Sequence, residues 1–491
     1  MMSSFLLFVL FVQLSLCQLP TFPAGFKFGA ATASYQVEGA WNEDGRGNTI
    51  WDTWSHAGRC ANNASGDVAD DHYHRIDQDI ALMKALGLNS YRMSIAWSRI
   101  FPTGRPPLNP LGIQHYNREI DALLAAGITP FVTLFHWDLP SALENEYGDG
   151  WLHANGPQTA KLFADYADAC FSAFGDRVKH WFTLNEPHTV AVNGYAYGNN
   201  APGRCSDRSA CATGNATTEP YIVAHYLLLA HAQAVQVYRT KYQPTQKGEI
   251  GIVLDSSWAE PKTNTTEDIK ASNRAMEFYA GWFADPVWRG DYPDSMKLLV
   301  GSRLPVFTDQ EKALLKGSAD FYAMNHYTSR YASNNPHPTG EGPDADCHVL
   351  METEKDGVPI GPRADSSWLY VVPYGIKKNL FWLKNRYGDV PFWVTENGVD
   401  VPNETNIPLP GVLHDNFRVD YYKSYMQEVS NAIHDPVNKV NVLGYFAWSL
   451  MDNFEWTDGY AKRFGIHYVD YTTLDRYQKD SSLFIKDVIK Q

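Results

Sequence analysis

The sequence predicts an α/β fold, a single (β/α)8 TIM barrel with long βα loops. One unit recurs along the chain: an amphipathic stretch ends at a glycine, a short turn follows, and an apolar run then ends abruptly in polar or aromatic residues. In its first copy Gly87 follows four apolar residues at helical spacing, Tyr73, Ile76, Ile80 and Met83. That spacing indicates a helix, and a glycine after its last apolar residue is a common end signal.

Eight apolar, β-rich runs fit this unit. The predicted strands are 26–32, 91–97, 130–136, 178–185, 250–255, 321–326, 391–395 and 442–448. Helical patterns fall between them and are strongest at 157–174, 219–242, 374–387 and 416–433. Strands that alternate with helices pair in parallel through right-handed crossovers, and eight such units predict a closed barrel.

The chain is predicted to form one catalytic domain over residues 18–491, because no linker, charge block or low-complexity tract divides it. A doubly wound open sheet is the alternative, but neither G-x-G-x-x-G after the first strand nor a P-loop motif occurs. A barrel of this type often needs only about 250 residues. The surplus is therefore expected in loops, and 196–218 and 333–368 are the predicted insertions.

Residues 1–17 are predicted to be a signal peptide. The apolar run 5–16 is too short to span a bilayer, and small residues, Ser15 and Cys17, precede a cut before Gln18. A buried hydrophobic helix is the alternative for this segment. We expect a secreted, extracellular protein, with a lysosomal or digestive lumen as the alternative compartments.

Two further features of the sequence, N-glycosylation tripeptides and a cysteine pair, are relevant in a secreted protein. Four tripeptides match the N-glycosylation pattern, at Asn63, Asn215, Asn264 and Asn403. Cys205 and Cys211 lie close together in a Gly/Ser/Asn-rich stretch and are expected to form a disulfide in an oxidising compartment. The default expectation for the three remaining mature cysteines is buried free thiols, at Cys60, Cys170 and Cys347.

Composition narrows the classes of partner. Acidic residues outnumber basic ones by 55 to 41, the formal charge is −14, and no Lys/Arg cluster occurs, which argues against nucleic acid and anionic membranes. No metal or cofactor is expected, since His72 and His74 point to different faces of a predicted helix and no H-E-x-x-H motif occurs. A monomer or homodimer that binds small molecules is expected.

Polar or aromatic residues close five of the predicted strands. Because strand C-termini converge on one face of such a barrel, these residues are expected at a common rim: His136, Asn185 with Glu186, Asn325, Glu396 and Trp448. Taken singly each signal is weak. Asn-Glu-Pro at 185–187 could be a helix start, and Asn-Gly at 397–398 is a common turn.

The pair of glutamates is the stronger signal. Glu186 and Glu396 both follow apolar runs, on strands predicted to face each other across the barrel mouth. Two such carboxylates can cleave an acetal, because one protonates the leaving oxygen while the other attacks the anomeric carbon. We expect burial and the charge of Glu396 to keep Glu186 protonated, with Arg92 and Tyr327 keeping Glu396 ionised. We predict that the two carboxyl groups lie about 5 Å apart, which is the geometry of a retaining enzyme, because an inverting enzyme must leave room for a water.

These residues resemble a known family. Thr-Leu-Asn-Glu-Pro at 183–187 and Val-Thr-Glu-Asn-Gly at 394–398 resemble the acid/base and nucleophile motifs of glycoside hydrolase family 1, whose members are mostly β-glucosidases. The likeness spans nearly the whole mature chain, from 22–26 to 464–466. It implies a retaining β-glucosidase that acts through a covalent glycosyl-enzyme, with Glu186 as acid/base and Glu396 as nucleophile.

The resemblance also implies a sugar subsite, formed by Gln36, His136, Asn185, Asn325, Tyr327, Trp448, Glu455 and Trp456. Glutamine and glutamate side chains suit sugar hydroxyls, an indole suits the apolar sugar face, and Asn185 is placed to bond the 2-hydroxyl. On the leaving-group side, Trp368 resembles the aglycone platform of the family. The expected wall residues there are Thr189, Asn193 and Phe464.

Two details narrow the expected substrate. Thioglucosidases of the family carry Gln at the acid position, so Glu186 favours O-glycosides. Enzymes for 6-phosphosugars carry a Ser/Lys phosphate pocket where this chain has the acidic Glu455, which would repel phosphate. Cellobiose, short cello-oligosaccharides and aryl β-glucosides are expected, with β-galactosides and β-fucosides as further candidates. The alternatives are a non-catalytic sugar-binding protein and a myrosinase-like thioglucosidase.

Overall fold

The computed structural model describes residues 19–145, 150–152 and 156–491. The predicted signal peptide, residues 1–17, lies outside these described residues. Within them, none of the helices combines the length and the apolar character that a bilayer crossing requires.

Eight parallel strands close into a barrel. Numbered along the chain, they are β1 Lys27–Ala31, β2 Ser90–Ser94, β3 Thr129–Phe135, β4 His180–Asn185, β5 Glu249–Asp255, β6 Tyr322–Asn325, β7 Phe392–Asn397 and β8 Val442–Trp448. Each strand pairs with the next along the chain, and β1 pairs with β8, so this sheet has no free edge. The predicted fold class and its eight strands are confirmed.

Helices connect the successive strands. The longer ones are His72–Leu86, Pro110–Ala125, Gly156–Phe174, Glu219–Val237, Thr266–Met276, Tyr374–Tyr387, Asn416–Ile433 and Asp480–Ile489. Shorter ones are Ser34–Val37, Ile50–His56, Trp97–Ile100, Ser141–Asn145, Pro187–Tyr195, Gln243–Gln246, Trp282–Arg289, Asp294–Val300, Asp309–Leu315 and Pro343–Asp346. The four helical patterns read as strongest are all present. The one at 219–242 changes to π-helical geometry at Tyr238–Tyr242.

The second predicted strand was too long at its end. β2 stops at Ser94, and Trp97–Ile100 is a short helix. The Ile95 N–H still bonds to the β3 backbone, but the Ala96 N–H donates to the hydroxyl of Tyr116 (2.8 Å). A side chain therefore ends the ladder, and an apolar run in the sequence carries no sign of that.

Aromatic side chains fill the barrel interior below the mouth. The ring of Phe131 lies 5.0 Å from that of Trp393 and 4.9 Å from that of Phe446, measured between centroids. Above them the guanidinium of Arg92 lies 5.5 Å from the Phe182 ring. This floor is closely packed and apolar, so charged groups that stand on it are removed from water.

The two predicted insertions form part of the rim. The segment 196–218 is closed by the expected Cys205–Cys211 disulfide, with a Cα separation of 5.6 Å. Tyr197 in this segment donates to Asp344 in the segment 333–368. The second insertion contributes to small additional sheets, whose strands are Trp258–Pro261, Ser329–Asn334 and Val349–Glu352, and Glu354–Lys355 with Val358–Pro359. A separate hairpin after β8 pairs His467–Asp470 with Asp475–Gln478.

A buried ionic network ties the chain after β7 to the C-terminal helix. Arg418 is fully buried and donates to Glu404 (2.6 Å) and to Asp415 (2.5 Å). Lys479 donates to the other oxygen of Glu404 (2.6 Å). Burial raises the pKa of Glu404, but the charges of Arg418 and Lys479 outweigh this effect and lower the pKa to about 2. The carboxylates therefore stay charged only while their cations are present.

Replacing Arg418→Met is expected to destabilise the protein strongly, because it leaves the buried Asp415 without its cation and Glu404 with Lys479 alone. The free energy of unfolding, measured by urea denaturation, should fall by about 3–5 kcal/mol. Arg118→Met is the matched control, since Arg118 is half exposed and pairs with Asp77 at 3.5 Å. That change should cost less than about 1 kcal/mol. Equal effects of the two substitutions would contradict this account of the network.

Candidate active site

Glu396 lies at the end of β7 and is held by two donors. Arg92, which points in from β2, forms an ion pair with Oε1, and the Tyr327 hydroxyl donates to Oε2 (2.6 Å). Both Arg92 and Glu396 are buried. The two donors expected from the sequence are therefore in contact with this carboxylate.

Glu186 follows β4 directly and begins the helix Pro187–Tyr195. Its φ of 44° lies in the left-handed region, which a residue with a Cβ adopts only at a cost. The backbone N–H bonds to the carbonyl of Val253 in β5 (3.0 Å), which holds this conformation. The side chain accepts from Asn325 Nδ2 at Oε1 (2.7 Å) and from Thr189 Oγ1 at Oε2 (3.0 Å).

A network of amides connects the two glutamates. Asn185 Oδ1 accepts from Arg92 Nη2 (2.6 Å) and from Asn325 Nδ2 (3.1 Å). Because Arg92 binds Glu396 and Asn325 binds Glu186, the two carboxylates share one hydrogen-bonded cluster. Thr395 Oγ1 donates to the side-chain oxygen Oδ1 of Asn325 (2.8 Å). This bond fixes the orientation of the Asn325 side-chain amide.

The surroundings of the two carboxyl groups differ in charge. Burial raises the pKa of Glu186 well above its ordinary value, and the negative charges of Asp255 and Glu396 raise it further. Burial also raises the pKa of Glu396, but there Arg92 and Tyr327 oppose the effect. Since the cation lies beside Glu396, a single proton shared between the two groups favours Glu186. The difference is the separation of protonation states that acid and base chemistry requires.

The sugar-subsite residues expected from the sequence line the same mouth. The ring of His136 lies 5.9 Å from those of Trp448 and Trp456, and its Nε2 lies 3.0 Å from Asn185 Nδ2. Gln36 donates to Asn453 (3.0 Å) and to the Phe454 carbonyl (2.9 Å). Among the described residues, its Oε1 is buried without a partner.

Four further expected residues are Glu455, Trp368, Phe464 and Asn193. Burial raises the pKa of Glu455 well above its ordinary value, with added repulsion from nearby carboxylates that include Glu396. Trp368 is half exposed and makes an edge contact with Tyr327, with ring centroids 5.8 Å apart. Phe464 also packs edge-on against Tyr327 (6.2 Å). Asn193 is partly exposed, one turn beyond Thr189 on the helix that Glu186 begins.

The sequence reasoning missed several residues of the site. Asp255 closes β5 and contacts Thr189, although it ends an apolar run just as the other rim residues do. That position was the signal available in the sequence. Trp137 donates to the Asn185 carbonyl (3.0 Å), and Asn453 holds Gln36. Thr189 was expected as a wall residue, whereas its hydroxyl bonds directly to Glu186.

Other expected features fall away from the mouth. The three cysteines expected as buried free thiols are found so, Cys60, Cys170 and Cys347. The four asparagines of the glycosylation pattern are exposed, Asn63, Asn215, Asn264 and Asn403. In the described parts of the chain, no group of three His, Cys, Asp or Glu side chains is placed to hold a metal ion.

A closed (β/α)8 barrel with two buried carboxylates in unlike electrostatic surroundings at its mouth has the equipment of a glycoside hydrolase. Comparison with known proteins agrees. The family model described as Glycosyl hydrolase family 1 matches residues 18–491, and the chain therefore belongs to that family of glycoside hydrolases.

Three relatives illustrate the likeness. Beta-glucosidase 6 of Oryza sativa subsp. japonica is 51% identical over 478 residues, which are 96% of this chain and 91% of the relative. The structure of a rice β-glucosidase mutant in a covalent complex with Glc superimposes with a TM-score of 0.94 at 50% identity, covering 96% and 100% of the two chains. An aphid myrosinase superimposes with a TM-score of 0.86 at 38% identity, covering 96% and 99%.

Proposed function

We propose that the protein is a retaining β-glucosidase that releases terminal, non-reducing β-D-glucosyl residues from O-glycosides. The observation that carries this proposal is the pair Glu186 and Glu396, both buried in one hydrogen-bonded cluster, with the cation of Arg92 bound to Glu396 alone of the two. The names of the rice relatives agree with the β-glucosidase activity.

The reaction proceeds in two steps. In the first, Glu396 attacks the anomeric carbon while Glu186 gives its proton to the departing glycosidic oxygen, and a covalent glycosyl-enzyme forms. In the second, the ionised Glu186 takes a proton from water as the water oxygen displaces Glu396. Asn325 supports the short carboxyl separation that this route needs, because its amide bonds Glu186 and also lowers the pKa of Glu396 through a hydrogen bond.

The sugar is proposed to lie between polar side chains and an aromatic platform. The unpartnered Gln36 Oε1 and the Glu455 carboxyl group are free to take sugar hydroxyls, and Trp448 lies beside His136 to receive the apolar face. Asn185 lies between the two catalytic carboxylates, where a bond to the 2-hydroxyl would strengthen at the transition state. The carboxylates around Glu455 disfavour a phosphorylated sugar.

The leaving group is proposed to lie against Trp368 and the wall formed by Thr189, Asn193 and Phe464. A half-exposed indole offers an apolar face to many apolar or sugar-like groups. We therefore propose cellobiose, short cello-oligosaccharides and aryl β-glucosides as substrates, with β-galactosides and β-fucosides as slower ones. Initial rates over that panel would rank them.

A thioglucosidase is the second candidate, because the aphid myrosinase shares the fold. A thiolate leaves without protonation, so such an enzyme has no use for a carboxyl group held in its acid form. Burial and the charge of Asp255 raise the pKa of Glu186, which favours that form here. Turnover of an aryl β-glucoside well above that of its thio analogue supports the main proposal, and the reverse order supports the second. No turnover of either would indicate a binding protein.

Export through the secretory pathway, with cleavage after residue 17, is the proposed localisation. Glycosylation at the four exposed acceptor asparagines follows from it. Protein secreted from a eukaryotic host should lose mass on treatment with a glycan-removing amidase, and each Asn→Gln change at an occupied position should remove one glycan. Retention inside the cell of an unglycosylated chain would contradict this proposal.

The two catalytic roles predict different mutant behaviour. Glu396→Gln removes the nucleophile and should lower kcat/KM about 10⁴-fold or more with every glycoside. Glu186→Gln should lower kcat/KM about 10²–10⁴-fold with cellobiose, whose leaving oxygen needs a proton. With dinitrophenyl β-glucoside, which needs none, kcat/KM of the same variant should stay close to that of the parent enzyme, while kcat falls because the second step lacks its base. Equal losses on both substrates would reject these role assignments.

Removing the cation beside Glu396 should change the pH dependence. The nucleophile must be ionised, so activity falls as the pH drops through the pKa of Glu396. Arg92→Met removes a charge that lowers this pKa, and the acid limb of the kcat/KM profile should move to higher pH by roughly one unit or more. Arg92→Lys keeps the charge, so the acid limb of this variant should lie close to that of the parent enzyme. A profile that Arg92→Met leaves unmoved would contradict the role given to this ion pair.

A further inference from the structure

A threonine hydroxyl lies between two carboxyl groups beside the barrel mouth. Thr189 Oγ1 is 3.0 Å from Glu186 Oε2 and 3.2 Å from Asp255 Oδ2. Both carboxyl groups are more than nine-tenths buried, with 8% and 7% of the residue exposed. The mechanism proposed above uses Glu186 and assigns nothing to Asp255 or to this hydroxyl.

Hydrogen counting shows why the arrangement matters. A threonine hydroxyl has one proton to donate, and an ionised carboxylate can only accept. If both carboxyl groups were ionised, Thr189 could satisfy one of them and would leave the other facing an oxygen lone pair. If Glu186 is protonated, it donates to Thr189, and Thr189 donates to Asp255, so each contact becomes a hydrogen bond. The geometry therefore matches one proton between the two carboxyl groups. The contact of His188 Nδ1 with Asp255 Oδ2 (3.2 Å) supports the charged form of Asp255 and so favours the proton on Glu186.

The same hydroxyl can serve the other protonation state. Once Glu186 has given up its proton, rotation about one bond turns the Thr189 hydroxyl from Asp255 towards Glu186. Asp255 then keeps its contact with His188 Nδ1 (3.2 Å) at the same oxygen. A hydrogen bond to a carboxylate stabilises the charged form, which is the form needed when Glu186 acts as a base.

We propose that Asp255 and Thr189 are positioning residues with opposed effects on Glu186. The charge of Asp255 favours the protonated acid that serves the first step, and the hydroxyl of Thr189 stabilises the carboxylate that serves the second step. The inference rests on the proposed acid/base role of Glu186. It adds that a separate side chain stabilises each of the two protonation states of Glu186 through which a retaining enzyme must pass.

Packing holds the three residues in register. Glu186 and Asp255 end or follow neighbouring strands, and the Glu186 N–H bonds to Val253, two residues before Asp255 (3.0 Å). Thr189 is three residues beyond Glu186 on the helix it begins, so its side chain returns over the first turn. His188, which lies between Glu186 and Thr189 in the chain, packs against Tyr279 with ring centroids 4.1 Å apart. The imidazole that contacts Asp255 is therefore itself held in place by packing.

Other ionisable groups also enter any pH dependence. Asp255 of β5, Glu396 of β7, Tyr327 after β6 and Tyr279 in the π-helical turn at 277–281 interact with Glu186 directly. Arg92 of β2 and His188 act indirectly, since Arg92 pairs with Glu396 and His188 contacts Asp255. Among the charges, Asp255 is the largest cause after burial of the raised pKa of Glu186. A change at Asp255 alone should therefore be visible in the profile.

The test is the basic limb of the kcat/KM profile with cellobiose, because activity is lost there as Glu186 loses its proton. Asp255→Asn removes a negative charge and should move this limb to lower pH by roughly one unit. Thr189→Val removes a donor to the carboxylate and should move it to higher pH by roughly half a unit. Thr189→Ser keeps the hydroxyl and should return the limb to its parent position.

The proposal predicts that Asp255→Asn and Thr189→Val move the basic limb in opposite directions. A purely structural role for either residue would lower activity without displacing the limb, or would displace it in the same direction for both variants. An unmoved limb in Asp255→Asn, or a downward shift in Thr189→Val, overturns the inference. If Asp255→Asn fails to fold, the Thr189→Val and Thr189→Ser pair decides the matter alone, since valine matches threonine in shape.

Failure of this inference can be told apart from failure of the proposed function. Glu186→Gln is measured beside the other variants on cellobiose and on dinitrophenyl β-glucoside. If that variant loses both substrates equally, the acid/base role itself is wrong. If it loses cellobiose selectively while the basic limb stays fixed in Asp255→Asn and Thr189→Val, the role of Glu186 stands and only the positioning pair is rejected.

Discussion

The ion pair between Arg92 and Glu396 decides how charge is distributed at the barrel mouth. Both partners are buried, and the guanidinium stands above an aromatic ring, so neither side chain has bulk water to screen it. Without the cation, the two buried carboxylates would repel each other and the pKa of Glu396 would rise. With it, one carboxylate keeps a compensating charge and the other does not. The unlike roles proposed for the two glutamates rest on this asymmetry.

The barrel supplies that asymmetry through its topology. Arg92 comes from β2, Asn185 from β4, Asn325 from β6 and Glu396 from β7, and closure of the sheet brings these separated segments to one end. The amide of Asn185 then accepts from both Arg92 and Asn325. Since these contacts cross from strand to strand, a shift of one residue in any strand would turn its side chain away from the mouth. The closed register therefore protects the site geometry.

The sequence predicted the fold well, and it predicted that the two glutamates lie at one end of the barrel, because both depend on patterns along the chain. Eight apolar runs with helices between them were sufficient for the barrel, and polar residues at strand ends were sufficient to place Glu186 and Glu396 at its mouth. The end of β2 was misplaced because the Tyr116 hydroxyl replaces the next ladder bond. Such a bond between distant segments leaves no periodic trace in either segment.

The role of Thr189 shows a second limit of sequence reasoning. Its distance of three residues from Glu186 was visible, but whether its side chain meets that carboxyl group depends on the left-handed backbone of Glu186. A residue with a Cβ rarely adopts this conformation, so no local preference predicts it. The Asp255 contact depends in addition on the pairing of β4 with β5. A strained backbone position and a strand pairing together create a hydrogen-bonded chain of three residues, and neither creates it alone. For that reason the protonation state proposed for Glu186 depends on the assembled barrel, whereas its candidacy as the acid rests on the sequence pattern.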